Sequence, residues 1–202
     1  MTPGSAIRGG RSLACAAVLF GAAGTAVDAA PAPLCHRSAE ALVVSRERTS
    51  DVGQDIYVRR LPDPSDKGGC VYAPRRTDWR LAGKDDSFFF LALQGKILAL
   101  DSGTSPDRRL LIFDTVARKQ IVATDYDDGT DRFSATPEAM TFWKVEPGAV
   151  KAEQCPAAWR AQPDNKTATK AHRTSEMRLT YADGKIAGTG ATGCRLTQDD
   201  VD

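Results

Sequence analysis

Between Ser87 and Thr124 the chain passes through a series of short apolar runs, each cut off by turn-forming residues, and this pattern constrains the fold more than any other feature. Ser87 to Leu93 is rich in Phe and Leu, Gln94-Gly95 offers a turn, and Lys96 to Leu100 is apolar again. A loop with Gly103 and Pro106 follows, then Leu110 to Phe113, a turn over Thr115 to Lys119, and Gln120 to Thr124. A helix needs about 10–12 uninterrupted residues, whereas strands need only 4–8. Gly95 tolerates the positive φ of a tight hairpin. The stretch therefore predicts a four-stranded antiparallel meander. Its first two strands are apolar on both faces, which predicts a central, buried position for both.

Flanking segments extend the same pattern. Leu42 to Ser45 is a short apolar run, and Ile56, Val58 and Leu61 form a strand with Arg59 and Arg60 pointing to solvent. Cys70 to Ala73 reads as a further short strand. Thr141 to Val145 is another, anchored by Trp143 and ended by Pro147-Gly148. Met177, Leu179 and Tyr181 alternate with polar residues, and Asp183-Gly184 is a strong hairpin signal before Lys185 to Leu196 returns. Residues 160–175 are polar without periodicity and read as a loop. Helix is limited to a turn or two near Pro137–Ala139 or Pro156–Arg160. The expected core comprises Phe88, Phe90, Leu93, Leu98, Leu100, Leu111, Phe113, Ile121, Trp143, Leu179 and Tyr181.

The beginning of the chain has the layout of a secretory signal. Arg8 and Arg11 precede an uncharged run from Leu13 to Ala23, and Val27-Asp28-Ala29 fits a small-residue cleavage site. The run is too short to span a bilayer, which needs about 20 apolar residues. Residues 1–29 are accordingly expected to be removed, leaving a single domain over 30–202 in the periplasm or outside the cell. Cys15 falls within the discarded segment. Four cysteines remain, Cys35, Cys70, Cys155 and Cys194, and an even number in an oxidising compartment argues for disulfides. Three pairings are possible. Cys35–Cys70 and Cys155–Cys194 are favoured, because each pair brackets one end of the β-rich middle. Metal ligation by these cysteines lacks a close Cys-x-x-Cys pair, and the only histidines are His36 and His172.

Charge narrows the partners. The 27 basic and 26 acidic residues become 25 and 25 once Arg8, Arg11 and Asp28 are removed. A neutral domain carries no overall electrostatic footprint for nucleic acid or an anionic membrane. The partner is expected to be another protein or a component of the cell envelope, and no cofactor is expected.

The hairpin Leu110–Thr124, with Asp114 entering its turn, resembles part of a β-propeller blade, and the resemblance covers about Phe88 to Tyr126. A propeller needs at least about four blades of roughly 40 residues, and one such unit is visible. The fold expected is all-β: an antiparallel meander forming a sandwich or open barrel, stapled by two disulfides, with little helix.

Asp101-Ser102-Gly103-Thr104, after the apolar Ile97 to Leu100, resembles the aspartic protease signature. The resemblance implies Asp101 as catalytic acid, sharing a proton with a second aspartate. Only one copy is present, so a dimer would be required, and Arg108 and Arg109 stand where that family has an apolar continuation. Asp and Gly are equally common at a plain strand-to-loop turn. Asp125, Asp127, Asp128 and Asp131 gather around Gly129. Calcium loops alternate acids with Gly at the sixth place, whereas Gly129 is fifth from Asp125, which favours a solvated acidic turn. His36 and His172 lack a neighbouring nucleophile motif. Arg75, Arg76, Trp79 and Arg80 combine guanidinium and aromatic groups in one loop, as interface hot spots do, and Arg108 and Arg109 add to the candidate binding set. The function expected is a non-enzymatic exported binding protein, in the manner of an inhibitor or immunity protein of the envelope. That step rests on fold-level analogy. The alternative is a hydrolase using Asp101.

Overall fold

The computed structural model describes residues 31–62, 69–81, 87–105, 107–151, 154–160 and 170–197. The signal segment and residues 161–169 of the expected polar loop lie outside the described residues. Three four-stranded antiparallel sheets follow one another along the chain. The first contains β1 (Leu34–Arg37), β2 (Ala41–Glu47), β3 (Gln54–Arg60) and β4 (Trp79–Arg80). The second contains β5 (Phe88–Gln94), β6 (Ile97–Ser102), β7 (Arg109–Asp114) and β8 (Lys119–Asp125). The third contains β9 (Phe133–Ala135), β10 (Ala139–Val150), β11 (Lys170–Thr180) and β12 (Ile186–Thr197). Each sheet is ordered as the chain runs, so every one is a simple meander. Among the described residues one short helix, α1 (Pro156–Arg160), precedes β11.

Alternation along the middle strands explains the layering. Successive side chains of a strand point to opposite faces. In β6 and β7, Leu98, Leu100, Leu111 and Phe113 face the first sheet and pack on Ala41, Val43, Ile56 and Val58. Ile97, Ala99, Leu110 and Ile112 face the third sheet and pack on Met140, Phe142 and Leu179. The second sheet is thus the filling of a sandwich with a layer on either side, which is why its strands are apolar on both faces. Each such side chain, fully buried, contributes about 1.5–3 kcal/mol. A third cluster lies on the outer face of the first sheet, where Leu42, Val44, Tyr57 and Leu61 pack against Cys35 and Tyr72.

Both favoured disulfides are present, Cys35–Cys70 and Cys155–Cys194, with sequence separations of 35 and 39. The first ties edge strand β1 to the segment crossing the outer face of the first sheet. The second ties the residue before α1 to edge strand β12.

Several local expectations are corrected. Residues 70–73 are irregular rather than a strand, yet Tyr57 Oη donates to the Val71 carbonyl at 3.0 Å and holds them down. Arg59 is buried, not solvated, because that same segment brings Asp78 over it. β5 is an edge strand of its sheet, where a central place was expected. Its exposed edge is closed from the first sheet, since the Phe90 N–H donates to Gln54 Oε1 at 2.9 Å. Pro147-Gly148 does not end the strand. It forms a bulge between Val145 and Ala149, and β10 continues to Val150. Residues 170–175 belong to β11 rather than to a loop. Pro137 to Ala139 is not helical, and the helix falls at Pro156–Arg160. Trp143 is half-buried, with the Arg132 guanidinium 4.1 Å from its ring centroid. Ile121 is 38% exposed. The pairings Ile112↔Val122 and Phe113↔Gln120 leave Ile121 as the extra residue of a bulge, turned away from the core.

Candidate functional site

The two stretches chosen from sequence as binding loops lie at opposite ends of the second sheet. Arg118, in the β7–β8 turn, donates to the Thr77 carbonyl at 2.6 Å, which puts residues 75–80 at that end. Arg109 pairs with Asp125 in the ladder at the other end of β7. Five strand steps of about 3.3 Å separate the ends by roughly 17 Å.

At the first end, Trp79 is half-buried. It packs on the core between the first and second sheets, edge-on to Phe113 with ring centroids 5.7 Å apart. Asp78 accepts from Arg59 Nε at 3.1 Å, from Arg59 Nη2 at 2.8 Å and from the Arg75 N–H at 2.8 Å. Arg76 and Arg80 are exposed.

At the second end, Asp101 and Arg108 form a two-point pair, with Arg108 Nε donating to Asp101 Oδ1 at 3.0 Å and Nη2 donating to Oδ2. Asp101 is 6% exposed. The bond to Asp101 holds the Arg108 guanidinium above its usual range. Tyr126 completes this network. Burial pushes its phenol well above the ordinary value, and the nearby carboxylates of Asp101 and Asp128 push it further. Arg195 spans from the third sheet, donating to the Tyr126 carbonyl at 3.1 Å and to Asp128 Oδ1 at 3.5 Å. The Arg108 guanidinium thus engages both oxygens of Asp101, where the aspartic protease resemblance implies a second aspartate as its partner.

The acidic stretch is dispersed among separate partners. Asp125 meets Arg109 at 3.5 Å, Asp127 meets Arg132 at 3.3 Å, and Asp128 meets Arg195. Asp131 takes a left-handed backbone at φ 62°. Among the described residues no three or more His, Cys, Asp or Glu side chains are grouped to hold a metal ion.

A groove of about 560 Å³ lies between the second and third sheets, joined to the Asp101–Arg108–Tyr126 network through Arg195. Arg109 and Asp125 line it from the second sheet, and Lys144, Glu146, His172 and Arg195 from the third. The β10 bulge builds one wall. Residues 146–148 have no ladder partner, and Gly148 turns the chain at φ 89°. Bulges commonly re-aim side chains in this way. His172 and Arg195 stand opposite each other across β11 and β12. Two ion pairs lie at the rim, the first open to solvent and the second half-buried. Arg109 and Asp125 keep 58% and 65% of their side chains exposed, while Lys144 and Glu146 lie 3.1 Å apart. The bond from Lys144, with a further one from Ser175, holds the Glu146 carboxyl below its usual range. His172 lines the groove among these charged side chains. Arg109 was chosen from sequence as a binding residue. Lys144, Glu146 and Arg195 were not, because Pro147-Gly148 reads locally as a strand end and the bulge that gathers the first two shows only in the ladder.

Set against protein-family models, curated proteins and solved structures, this chain matches none. Its class is therefore defined by its own architecture, a disulfide-stapled all-β protein of three stacked meanders.

Proposed function

We propose that this protein is an exported binding protein, and that it recognises a protein or envelope component through the groove between its second and third sheets. The observation that carries this is the pairing of exchangeable rim charges with a fixed network adjoining them. Arg109–Asp125 is an exposed pair and Lys144–Glu146 a half-buried one at the rim, each worth little in the free protein, about 0–1 kcal/mol. Their charges can be re-paired with a partner at small cost. Beside them, the largely buried Asp101–Arg108–Tyr126–Arg195 network, which meets the groove at Arg195, holds the adjoining backbone. Mixed charge beside a rigid network favours specificity, because a wrong partner meets like charge. Export is supported by the two disulfides and by the signal-like layout of residues 1–29.

The test is capture from envelope extract, followed by affinity measurement on the purified captured component. The double variant Arg109→Gln/Lys144→Gln removes both rim cations without adding like charge, and is expected to lower stability by no more than about 2 kcal/mol. Affinity is expected to fall at least tenfold. Equal affinity of wild type and variant would remove the groove from recognition.

A further inference from the structure

At the opposite end of the second sheet, a hollow of about 460 Å³ opens where the end of β3 meets residues 77–78 and the β7–β8 turn. We infer that this hollow is an oxyanion site, in which Arg60 and Arg118 take a phosphate or sulfate group independently of the groove. Among the described residues the charges lining it do not balance: Asp78 is the one acid, and its oxygens are occupied by two Arg59 N–H groups and the Arg75 amide. The nearest acid of the β7–β8 turn, Asp114, is likewise engaged. It takes Lys96 at 2.9 Å and the amides of Val116 and Ala117 at 3.0 and 2.8 Å. Arg60 and Arg118 line the hollow, are exposed, and have no carboxylate partner among the described residues.

The backbone of Arg118 adds a second observation. It sits at φ 52°, a left-handed conformation that glycine adopts freely. A turn selected for stability alone would hold glycine or asparagine there. Arginine at that place projects a guanidinium into the hollow. One of its five donors is spent on the Thr77 carbonyl at 2.6 Å, which fixes the side chain and leaves the rest of the fork available. A planar fork with parallel N–H groups matches the oxygens of a phosphate or sulfate better than an ammonium would.

The experiment is an NMR titration of the arginine Nε–Hε signals with inorganic phosphate, and with sulfate, against sodium chloride at matched ionic strength. Melting temperatures are taken in parallel on wild type, Arg60→Gln and Arg118→Gly. Expected are saturable shifts for wild type with phosphate or sulfate but not chloride, and at least tenfold weaker binding in both variants. Arg118→Gly is expected to melt no lower than wild type, because it relieves the backbone. Co-sedimentation with phosphatidylglycerol and phosphatidylcholine vesicles separates a lipid headgroup from a free anion. Binding only to the anionic vesicles assigns the headgroup, and phosphate saturation without sedimentation assigns the free anion. Wild-type signals that respond equally to chloride would overturn the inference. So would an Arg118→Gly variant that melts lower and still binds phosphate, because Arg118 would then be only a clip between the turn and Thr77.

Discussion

His36 shows how a single residue takes its meaning from what lies across from it. Its ring stacks on Phe90 with centroids 3.5 Å apart and planes 9° apart, and its Nε2 is buried without a hydrogen-bond partner. Burial holds its pKa below the ordinary value near 6.5. The unfolded chain therefore binds the proton more readily than the folded one. Stability is full above about pH 6.5 and falls as the pH drops from there through the folded value. His36→Leu is expected to flatten that part of the stability curve, leaving the fall at lower pH due to Asp114 and Glu146, whose carboxyls are held below their usual range. Urea midpoints measured from pH 7.5 to 4.5 on both proteins check this. An unchanged slope between pH 6.5 and 5 would show that the stack does not oppose protonation. Nothing near His36 in sequence announces the stack, since Phe90 lies 54 positions away in another sheet. The pairing of Asp101 with Arg108 is local by contrast, because Arg108 follows within one hairpin. Trp79 was harder. Its type suggested an interface, and only the contact with Phe113 reveals a packing role.

At the scale of elements, bulges decide which face a side chain occupies. A shift of one position moves every later residue of a strand to the other face. Simple alternation through β8 would bury Ile121, but the bulge turns it out and keeps Val122 partly buried. Ile121→Ser is accordingly expected to change stability by no more than about 0.5 kcal/mol. Its near neighbour in the ladder, Ile112, is fully buried, and Ile112→Ala is expected to cost about 2–5 kcal/mol. Chemical denaturation of the two variants side by side checks both values, and equal losses would contradict the bulge. The same logic governs β10. Pro147-Gly148 carries the usual mark of a strand end, and the ladder with β11 resumes beyond it. The groove wall is a product of that interruption, so the site nearest to function sits where the local sequence signal misleads.

Across the whole molecule, the disulfides hold the two outer sheets to the irregular segments beside them. Each closes a loop of nearly 40 residues, and the chain-entropy model gives about 4 kcal/mol per bridge. Replacing Cys155 and Cys194 together by Ser is expected to lower stability by about that amount, with α1 and the end of β12 losing hydrogen-exchange protection before the second sheet does. A loss spread evenly over all three sheets would show that the third does not loosen independently. The sequence by itself determined the strand-rich class, the central meander and the favoured cysteine pairing. Those depend on residue type and short spacing: turn residues between apolar runs, and an even cysteine count. Only the tertiary structure decided that there are three meanders rather than one, that Arg59 and Trp79 turn inward, and that the two candidate loops stand at opposite ends. These depend on which sheet lies against which face, and burial against a partner many positions away leaves no periodic trace in the chain.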